Sequence, residues 1–198
     1  WINRNNIILM EKPYRFTVPL IGQSSNKLIK DIEVSNLEDF SKKFLSQLEL
    51  SYKNSAYKNA VLGYVEEVLH SGSRLISDLA RISVENFFNY VGIEKIFLVS
   101  SLEFSETRDL NRVERLIAIS EKLNADHYLN VIGGKSIYSR EDFEKRGVSL
   151  QFLKPLFVPY SHCNLASQEF HPGLSIIDIM PNLSVNEIRS HLSYCEIS

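Results

Sequence analysis

The chain has 198 residues, 44% of them hydrophobic, which is enough to bury one core of ordinary size. The 22 basic and 24 acidic residues give a formal charge of -2, so the chain has no net attraction to nucleic acid or to an anionic membrane. No apolar run approaches the about 20 residues that cross a bilayer. The composition predicts one globular domain over residues 1–198, without a membrane or nucleic-acid partner.

The first half of the chain has patterns typical of short strands followed by helices. Apolar runs predict three strands, at Ile7–Met10, Tyr14–Ile21 and Leu28–Val34. Apolar side chains then recur at helical spacing in three segments, which begin near Asn36, Tyr57 and Leu75. Gly92 follows the third segment, where a glycine commonly ends a helix. These patterns predict an antiparallel or mixed strand portion and a helical insert.

The second half alternates between strand and helix patterns. The predicted strands are Ile96–Leu102, His127–Ile132 and Val148–Leu153, and the predicted helices are Arg112–Leu123 and Arg140–Lys145. Asn111 precedes Glu114 by three residues, the spacing of a capping box, and Ser184 with Glu187 repeats it before a last helix. Such alternation favours parallel strands with right-handed crossovers. We therefore expect an α/β fold with a Rossmann-like parallel βαβαβ core.

Gly133-Gly134-Lys135 directly follows a predicted strand. Ligands of open α/β sheets bind at the carboxyl ends of the strands. Glycines let backbone amides approach an anion, and an ammonium supplies the counter-charge for a phosphate or carboxylate. The alternative is a tight turn with a solvated lysine, because the spacing matches neither a P-loop nor a dinucleotide fingerprint.

The start of the chain carries a second cluster of polar groups. Arg4 can grip a carboxylate or phosphate, Asn3 and Asn5 can bind sugar hydroxyls, and Trp1 can stack on a base or a pyranose. The alternative is a solvated terminus. Arg115, in the first turn of a predicted helix, points either to solvent or into a cleft.

Asp178 follows the apolar run Leu174–Ile177, so its carboxylate is expected to be partly buried. A buried carboxylate needs a partner or a raised pKa. Two roles stay open for it, a general base and a structural carboxylate that caps a backbone turn. Tyr138 and Tyr160 are candidate hydroxyls in a cleft, and both also suit an ordinary amphipathic edge.

The histidines and cysteines predict neither a metal site nor a disulfide. The histidines show no His-Glu-x-x-His spacing, and the cysteines show no Cys-x-x-Cys spacing. His162 and Cys163 are neighbours, which would suit a thiol nucleophile with its base. Adjacent side chains in a loop point in different directions, however, so the pair is not expected to act in this way. Reduced thiols are the simplest interpretation.

Several segments together resemble the WbqC-like family, a bacterial group found among genes for O-antigen and other surface polysaccharides. The matching segments are Trp1-Ile-Asn-Arg-Asn5, Thr17-Val-Pro-Leu20, Glu114-Arg-Leu-Ile-Ala-Ile119, Gly133-Gly-Lys-Ser-Ile-Tyr138, Pro159-Tyr160 and Leu174-Ser-Ile-Ile-Asp178. Members usually begin some tens of residues earlier, so a missing N-terminal segment is expected. Tyr160-Ser161-His162 departs from the family's Tyr-x-Gln.

The resemblance implies a cytoplasmic transferase or amide-forming enzyme, one that adds glycine or another acyl group to the amine of a nucleotide-linked amino sugar. Asp178 and Tyr138 are the implied catalytic residues. The implied substrate-binding residues are Trp1, Asn3, Arg4, Asn5, Arg115, Gly133, Gly134, Lys135, Tyr160, His162 and Ser175. The acyl donor stays open between a product of ATP activation, a carrier thioester and an aminoacyl-tRNA. The alternatives are a non-catalytic nucleotide-sugar binding or assembly protein and a fragment without a function of its own.

Asp178 and Lys135 both follow apolar segments of the predicted sheet region. If the ends of these segments meet at one sheet edge, the two side chains share a pocket. We therefore expect Lys135 to bind the anionic substrate and Asp178 to act on it.

Overall fold

The computed structural model describes residues 2–22, 24, 26–163 and 170–198. The chain divides into two compact units. Unit 1 comprises Trp1–Lys95 and Phe157–Leu192, and unit 2 comprises Ile96–Leu156 and Ser193–Ser198. The expectation of a single domain over residues 1–198 stays a prediction.

Unit 1 begins with an antiparallel hairpin of β1 (Arg4–Leu9) and β2 (Lys12–Thr17). The two turn residues, Met10 and Glu11, have φ angles of 49° and 62°. Positive φ at both central residues is the mark of a type I′ turn, which matches the right-handed twist of the flanking strands. The predicted pair of strands is confirmed, with the turn one residue earlier than expected.

A second pair of short strands follows, β3 (Leu20–Ile21) and β4 (Glu33–Val34), which are antiparallel. The expected strand Leu28–Val34 is therefore wrong over most of its length. Residues Ile29–Asp31 form a 3-10 helix, and Leu28 and Ile29 are more than half exposed. Their apolar side chains bury too little surface to hold a strand there.

Three helices form most of unit 1, and all three were predicted. They are α1 (Leu37–Ser51), α2 (Lys58–Leu69) and α3 (Ile76–Tyr90). Gly92, with φ of 62°, ends the last one as expected. Helix α1 contacts β1, α2 packs between α1 and α3, and all three helices contribute to one core with β1. This core includes Ile7, Phe44, Leu48, Val61, Val65, Ile76 and Leu79.

Unit 2 begins with an irregular segment and a short helix, α4 (Ser100–Glu103). The strand expected at Ile96–Leu102 is not formed. The Glu103 carboxylate accepts a 2.7 Å hydrogen bond from the Val99 amide, which favours a helical turn, and Ile96 is 88% exposed. Helix α5 (Arg112–Lys122) follows, with the Asn111 and Glu114 capping box formed as predicted.

The sheet of unit 2 has three strands, β5 (His127–Val131), β6 (Ser149–Pro155) and β7 (Cys195–Ile197). Strands β5 and β6 are parallel, and β7 pairs antiparallel with β6. Helix α6 (Arg140–Glu144) lies between β5 and β6 in sequence. The mixed α/β class is confirmed, and the predicted strands at His127–Ile132 and Val148–Leu153 pair in parallel as β5 and β6. The full parallel βαβαβ core is not confirmed, because its expected first strand is absent and the sheet is completed by the antiparallel β7.

The chain also places two short helices in unit 1, α7 (Ile176–Ile179) and α8 (Val185–Leu192). Ser175 caps α7, with its hydroxyl oxygen accepting from the Ile177 amide. Ser184 and Glu187 form the predicted reciprocal cap before α8. Helix α7 contacts β1, and this contact positions Asp178.

Candidate functional site

Asp178 lies on α7 with none of its surface exposed. Its Oδ1 atom accepts two hydrogen bonds. The backbone amide of Ile8 donates at 2.7 Å, and the hydroxyl of Tyr52 donates at 2.6 Å. Tyr52 directly follows α1 and Ile8 belongs to β1, so one carboxylate oxygen joins three elements of unit 1.

The second carboxylate oxygen of Asp178 has two further partners. The Tyr160 hydroxyl donates to Oδ2 at 2.8 Å, and Nε2 of His162 lies 2.8 Å from the same atom. The side chain of His162 is only 5% exposed. We call Asp178, Tyr52, Tyr160, His162 and the Ile8 amide the Asp178 network.

Burial and the nearby carboxylate keep the two tyrosine hydroxyls of this network protonated. Burial is the main cause that raises the pKa of Tyr52 and of Tyr160 far above the usual tyrosine value, and the nearby Asp178 carboxylate adds to it. The same two causes, burial first, raise the pKa of Cys163. A thiol with a raised pKa carries little thiolate at neutral pH, which disfavours Cys163 as a nucleophile.

Within this network, Asp178 has the features of a structural carboxylate. Three donors and the paired Nε2 of His162 occupy its two oxygens. The side-chain amide of Asn182 also donates to the Asp178 carbonyl at 2.7 Å, which secures the end of α7. A buried carboxylate held this way links the elements around it and is costly to remove. The role of general base stays a prediction for Asp178.

A separate feature of unit 1 is a cavity of about 420 Å³. The hairpin, helices α1 to α3 and the start of α7 supply its lining, and most of the lining side chains are apolar. Three of the predicted substrate-binding residues, Arg4, Asn5 and Ser175, are among the lining residues. Asp178 is not among those that the structure describes there, although Ser175, Ile176 and Ile177 just before it are.

The polar side chains at the start of the chain differ in whether they have hydrogen-bond partners within the protein. Asn3 donates to the Val18 carbonyl at 2.9 Å, and the side-chain oxygen of Asn5 accepts from the Asn6 amide. Arg4 is exposed, and its guanidinium has no hydrogen-bond or ion-pair partner within the described ranges. Its role in substrate binding stays a prediction. Trp1 lies outside the described residues.

Gly133, Gly134 and Lys135 belong to unit 2, at the end of β5. Residues Ile132–Gly134 form a 3-10 helix, and Lys135 is exposed. A Cβ atom added to Gly133 would meet open space, whereas one added to Gly134 would lie 3.0 Å from Nδ2 of Asn130. The lysine follows the strand's carboxyl end, as expected. Ser139 precedes α6 at capping-box spacing from Asp142, but its side chain forms no cap.

Arg115 and Tyr138 also belong to unit 2. The Arg115 guanidinium donates to the Thr107 hydroxyl at 3.2 Å and to the Ser100 carbonyl at 3.3 Å, so it ties α5 to the segment before it. Tyr138 is half-buried, with its ring edge-on to Phe143. Asp178 and Lys135 lie in different units, and their convergence on one pocket stays a prediction.

No group of three or more His, Cys, Asp or Glu side chains with metal-binding geometry occurs in the part of the chain that the structure describes. Within those same residues, no helix is both long enough and apolar enough to span a bilayer.

The model of the WbqC-like protein family matches residues 1–190, which is nearly the whole chain. The chain belongs to the WbqC-like family. No curated protein matches it, and no solved structure does either. The match confirms the resemblance on which the expected site residues of this WbqC-like protein depend.

Sequence reasoning missed two members of the Asp178 network, Tyr52 and the Ile8 amide. Tyr52 follows Leu48 by four residues, a spacing typical of a helix face that packs into a core. The Ile8 amide carries no side-chain signal at all. Both become visible only when α7 is placed against β1 in this WbqC-like fold.

Proposed function

We propose that this WbqC-like protein is a cytoplasmic transferase of bacterial surface-polysaccharide synthesis, which N-acylates a nucleotide-linked amino sugar. Family membership supports the proposal through what members are expected to do. The observation that carries it is the cavity of about 420 Å³ in unit 1, to which Arg4, Asn5 and Ser175 contribute. Its volume lies in the range of about 300–1,000 Å³ typical of small-molecule sites.

The proposed reaction forms one bond and breaks one. The lone pair of the sugar amine attacks the acyl carbonyl carbon, and a carbon–nitrogen bond forms. The bond from that carbon to the leaving oxygen or sulfur breaks, and its electron pair stays with the leaving group. The nitrogen loses a proton to a base. This sequence needs an activated acyl donor, supplied by ATP-dependent activation, a carrier thioester or an aminoacyl-tRNA.

Asp178 is the proposed ultimate proton acceptor. Because none of its surface is exposed, a proton would reach it through His162 or Tyr160, whose Nε2 and Oη atoms each lie 2.8 Å from Oδ2. A base must lie within hydrogen-bond reach of the proton that it takes, directly or through one intervening group. In unit 1 the proposed anion-binding side chain is Arg4. In unit 2 the candidates are Lys135, the backbone amides of Gly133 and Gly134, and the hydroxyl of Tyr138, which the family resemblance proposes as substrate-binding or catalytic groups.

The second candidate is a non-catalytic nucleotide-sugar binding or assembly protein of the same pathway. The burial of Asp178 favours it. A carboxylate that already accepts from Ile8, Tyr52 and Tyr160, and pairs with His162, has little free capacity to take a proton from substrate. Such a protein would keep the cavity and need no base.

The test is a direct assay of acyl transfer. The purified chain is incubated with a UDP-linked amino sugar and, separately, with acetyl, glycyl and longer acyl donors, and the sugar nucleotide is examined by mass spectrometry. An increase in mass by one acyl group supports the transferase. Binding of the UDP-sugar without any product over all donors supports the second candidate.

The variants Asp178→Asn and Lys135→Ala refine that test. For a transferase with Asp178 as base, Asp178→Asn lowers kcat while the substrate still binds, and Lys135→Ala mainly weakens binding of the sugar nucleotide. Lys145→Ala is the matched control for Lys135→Ala, because Lys145 is an exposed lysine of the same unit that pairs with Glu141 on its own helical segment.

A further inference from the structure

The lining of the unit 1 cavity is mainly apolar. Its side chains are mainly aromatic and branched aliphatic, including Phe16, Phe40, Phe44, Val65, Leu79 and Phe87. Among the described lining residues, Arg4 is the only charged one, and none is a carboxylate. An ammonium group placed in this cavity would lose its water without gaining an anionic partner, which is strongly unfavourable.

The uncharged polar side chains of the lining are largely engaged with the protein itself. The Tyr64 hydroxyl donates to the Ser83 carbonyl at 2.8 Å, and the Ser83 hydroxyl donates to the Ala80 carbonyl at 2.7 Å. The Ser175 oxygen accepts from the Ile177 amide. A sugar needs many hydrogen bonds from its site. The cavity interior offers few, so it suits an apolar group better than a pyranose.

We propose that this cavity binds the apolar acyl chain of an acyl donor, with the anionic head of that donor at Arg4. The inference rests on the proposed function, since it identifies the donor of that reaction as an apolar acyl group rather than a glycyl group. Arg4 is suited to the head because its guanidinium is exposed and unpartnered in the described part of the chain. Carboxylate and phosphate heads share this chemistry.

The first experiment measures binding of hexanoate, octanoate, decanoate and dodecanoate to the purified chain by isothermal titration calorimetry. Each methylene transferred from water to an apolar site tightens binding about fourfold, so affinity should climb along the series until the cavity is full. Affinity that does not depend on chain length overturns the proposal.

Two variants on α3 fill the cavity and locate the binding site. Ala80→Phe and Val84→Phe place a ring among the lining residues, and both should weaken dodecanoate binding at least tenfold. Val84 is 46% exposed, so its variant folds even if Ala80→Phe does not. Ala60→Phe on α2, at a half-buried residue outside the described lining of this cavity, is the matched control and should bind as the parent does. Unchanged binding in Val84→Phe, or equal loss in Ala60→Phe, contradicts the assignment.

The assignment of Arg4 to the anionic head is tested by replacing each of two arginines of the hairpin, separately, with glutamine. Arg4→Gln should weaken binding of dodecanoate and of dodecyl phosphate, but not of the uncharged dodecanol. Arg15→Gln, on the paired strand β2, should change none of them. Equal loss of dodecanol binding in Arg4→Gln would mean that Arg4 shapes the cavity and does not bind the head.

Failure of this inference can be told apart from failure of the proposed function. Transfer of glycyl groups to the UDP-sugar, without carboxylate binding, keeps the transferase and overturns the acyl-chain site. If carboxylate binding depends on chain length but no donor transfers its acyl group, the cavity is upheld as a site for apolar chains and the transferase proposal is overturned.

Discussion

The Tyr52 hydroxyl donates a 2.6 Å hydrogen bond to the Asp178 carboxylate, across 126 residues of sequence. This bond joins the end of α1 to α7, and the Ile8 amide on β1 donates to the same oxygen. Three elements of unit 1 therefore depend on one buried acceptor. A network of this kind contributes to stability more than any single exposed contact does, since removing the acceptor leaves several buried donors unpaired.

Replacing Asp178 by alanine should lower the free energy of unfolding by about 2–4 kcal/mol, because buried donors are left without an acceptor. The free energy of unfolding of Asp178→Asn should lie between those of the parent and the alanine variant. The asparagine keeps one acceptor oxygen, but its NH2 group faces hydrogen-bond donors that had the second oxygen as their acceptor. Urea denaturation followed by circular dichroism measures both. Asp31→Asn, at an exposed aspartate of the same unit, should differ little. If Asp178→Asn keeps full stability but loses turnover, the general-base role is upheld over the structural one.

Tyr64 should make stability depend on alkaline pH. Burial raises the pKa of Tyr64 to about 12. The unfolded chain loses this proton near pH about 10, whereas the folded chain keeps it, so stability falls as the pH rises from about 10 to about 12. In Tyr64→Phe the decline should be shallower, by as much as roughly 1.4 kcal/mol per pH unit. Urea denaturation at a series of pH values measures it. Below pH about 9 the curves of parent and variant should run parallel, and a parallel course above pH about 10 would contradict the prediction.

The hairpin turn can be improved by glycine. Glu11 adopts a φ of 62°, which costs a residue with a Cβ atom about 1 kcal/mol and a glycine little. Glu11→Gly should therefore raise the free energy of unfolding by up to about 1 kcal/mol, as seen in thermal denaturation. Lys43→Gly, in the interior of α1, should lower it by about the same amount. A destabilised Glu11→Gly variant would show that the Glu11 side chain contributes more than its backbone strain costs.

Gly133 and Gly134 should respond differently to alanine. A Cβ atom at Gly133 meets open space, so Gly133→Ala should leave stability unchanged or raise it slightly. At Gly134 the new atom would lie 3.0 Å from Nδ2 of Asn130 and 3.2 Å from Cδ2 of Tyr138, so Gly134→Ala should cost about 1 kcal/mol. Thermal denaturation measures both effects. If Gly133→Ala weakens binding of the UDP-linked sugar without changing stability, the predicted anion cradle gains direct support.

Local features of the fold were predictable wherever a short-range physical rule decides the backbone. The helices α1, α2, α3 and α5 follow from apolar spacing. The reciprocal caps at Asn111 and Ser184, the second of which predicted α8, follow from side chains three residues from a glutamate. Ser139 has the same spacing to Asp142, but no cap forms there. Spacing therefore indicates where a cap can form, whereas the local backbone decides whether it does.

Burial and partners depend on the tertiary structure, because they join residues that are distant in sequence. The sequence alone indicated that Asp178 would be buried and left two roles open. The contacts of α7 with β1 and with Tyr52 then supplied donors 170 and 126 residues away. Ile96–Leu102 shows the converse: an apolar run predicts a strand, but a strand needs a partner edge, and Ile96 is 88% exposed. The sequence determined the longer helices and two of their caps, because short-range rules decide them. Tertiary packing decided which apolar runs became strands and which donors reached the buried Asp178 carboxylate.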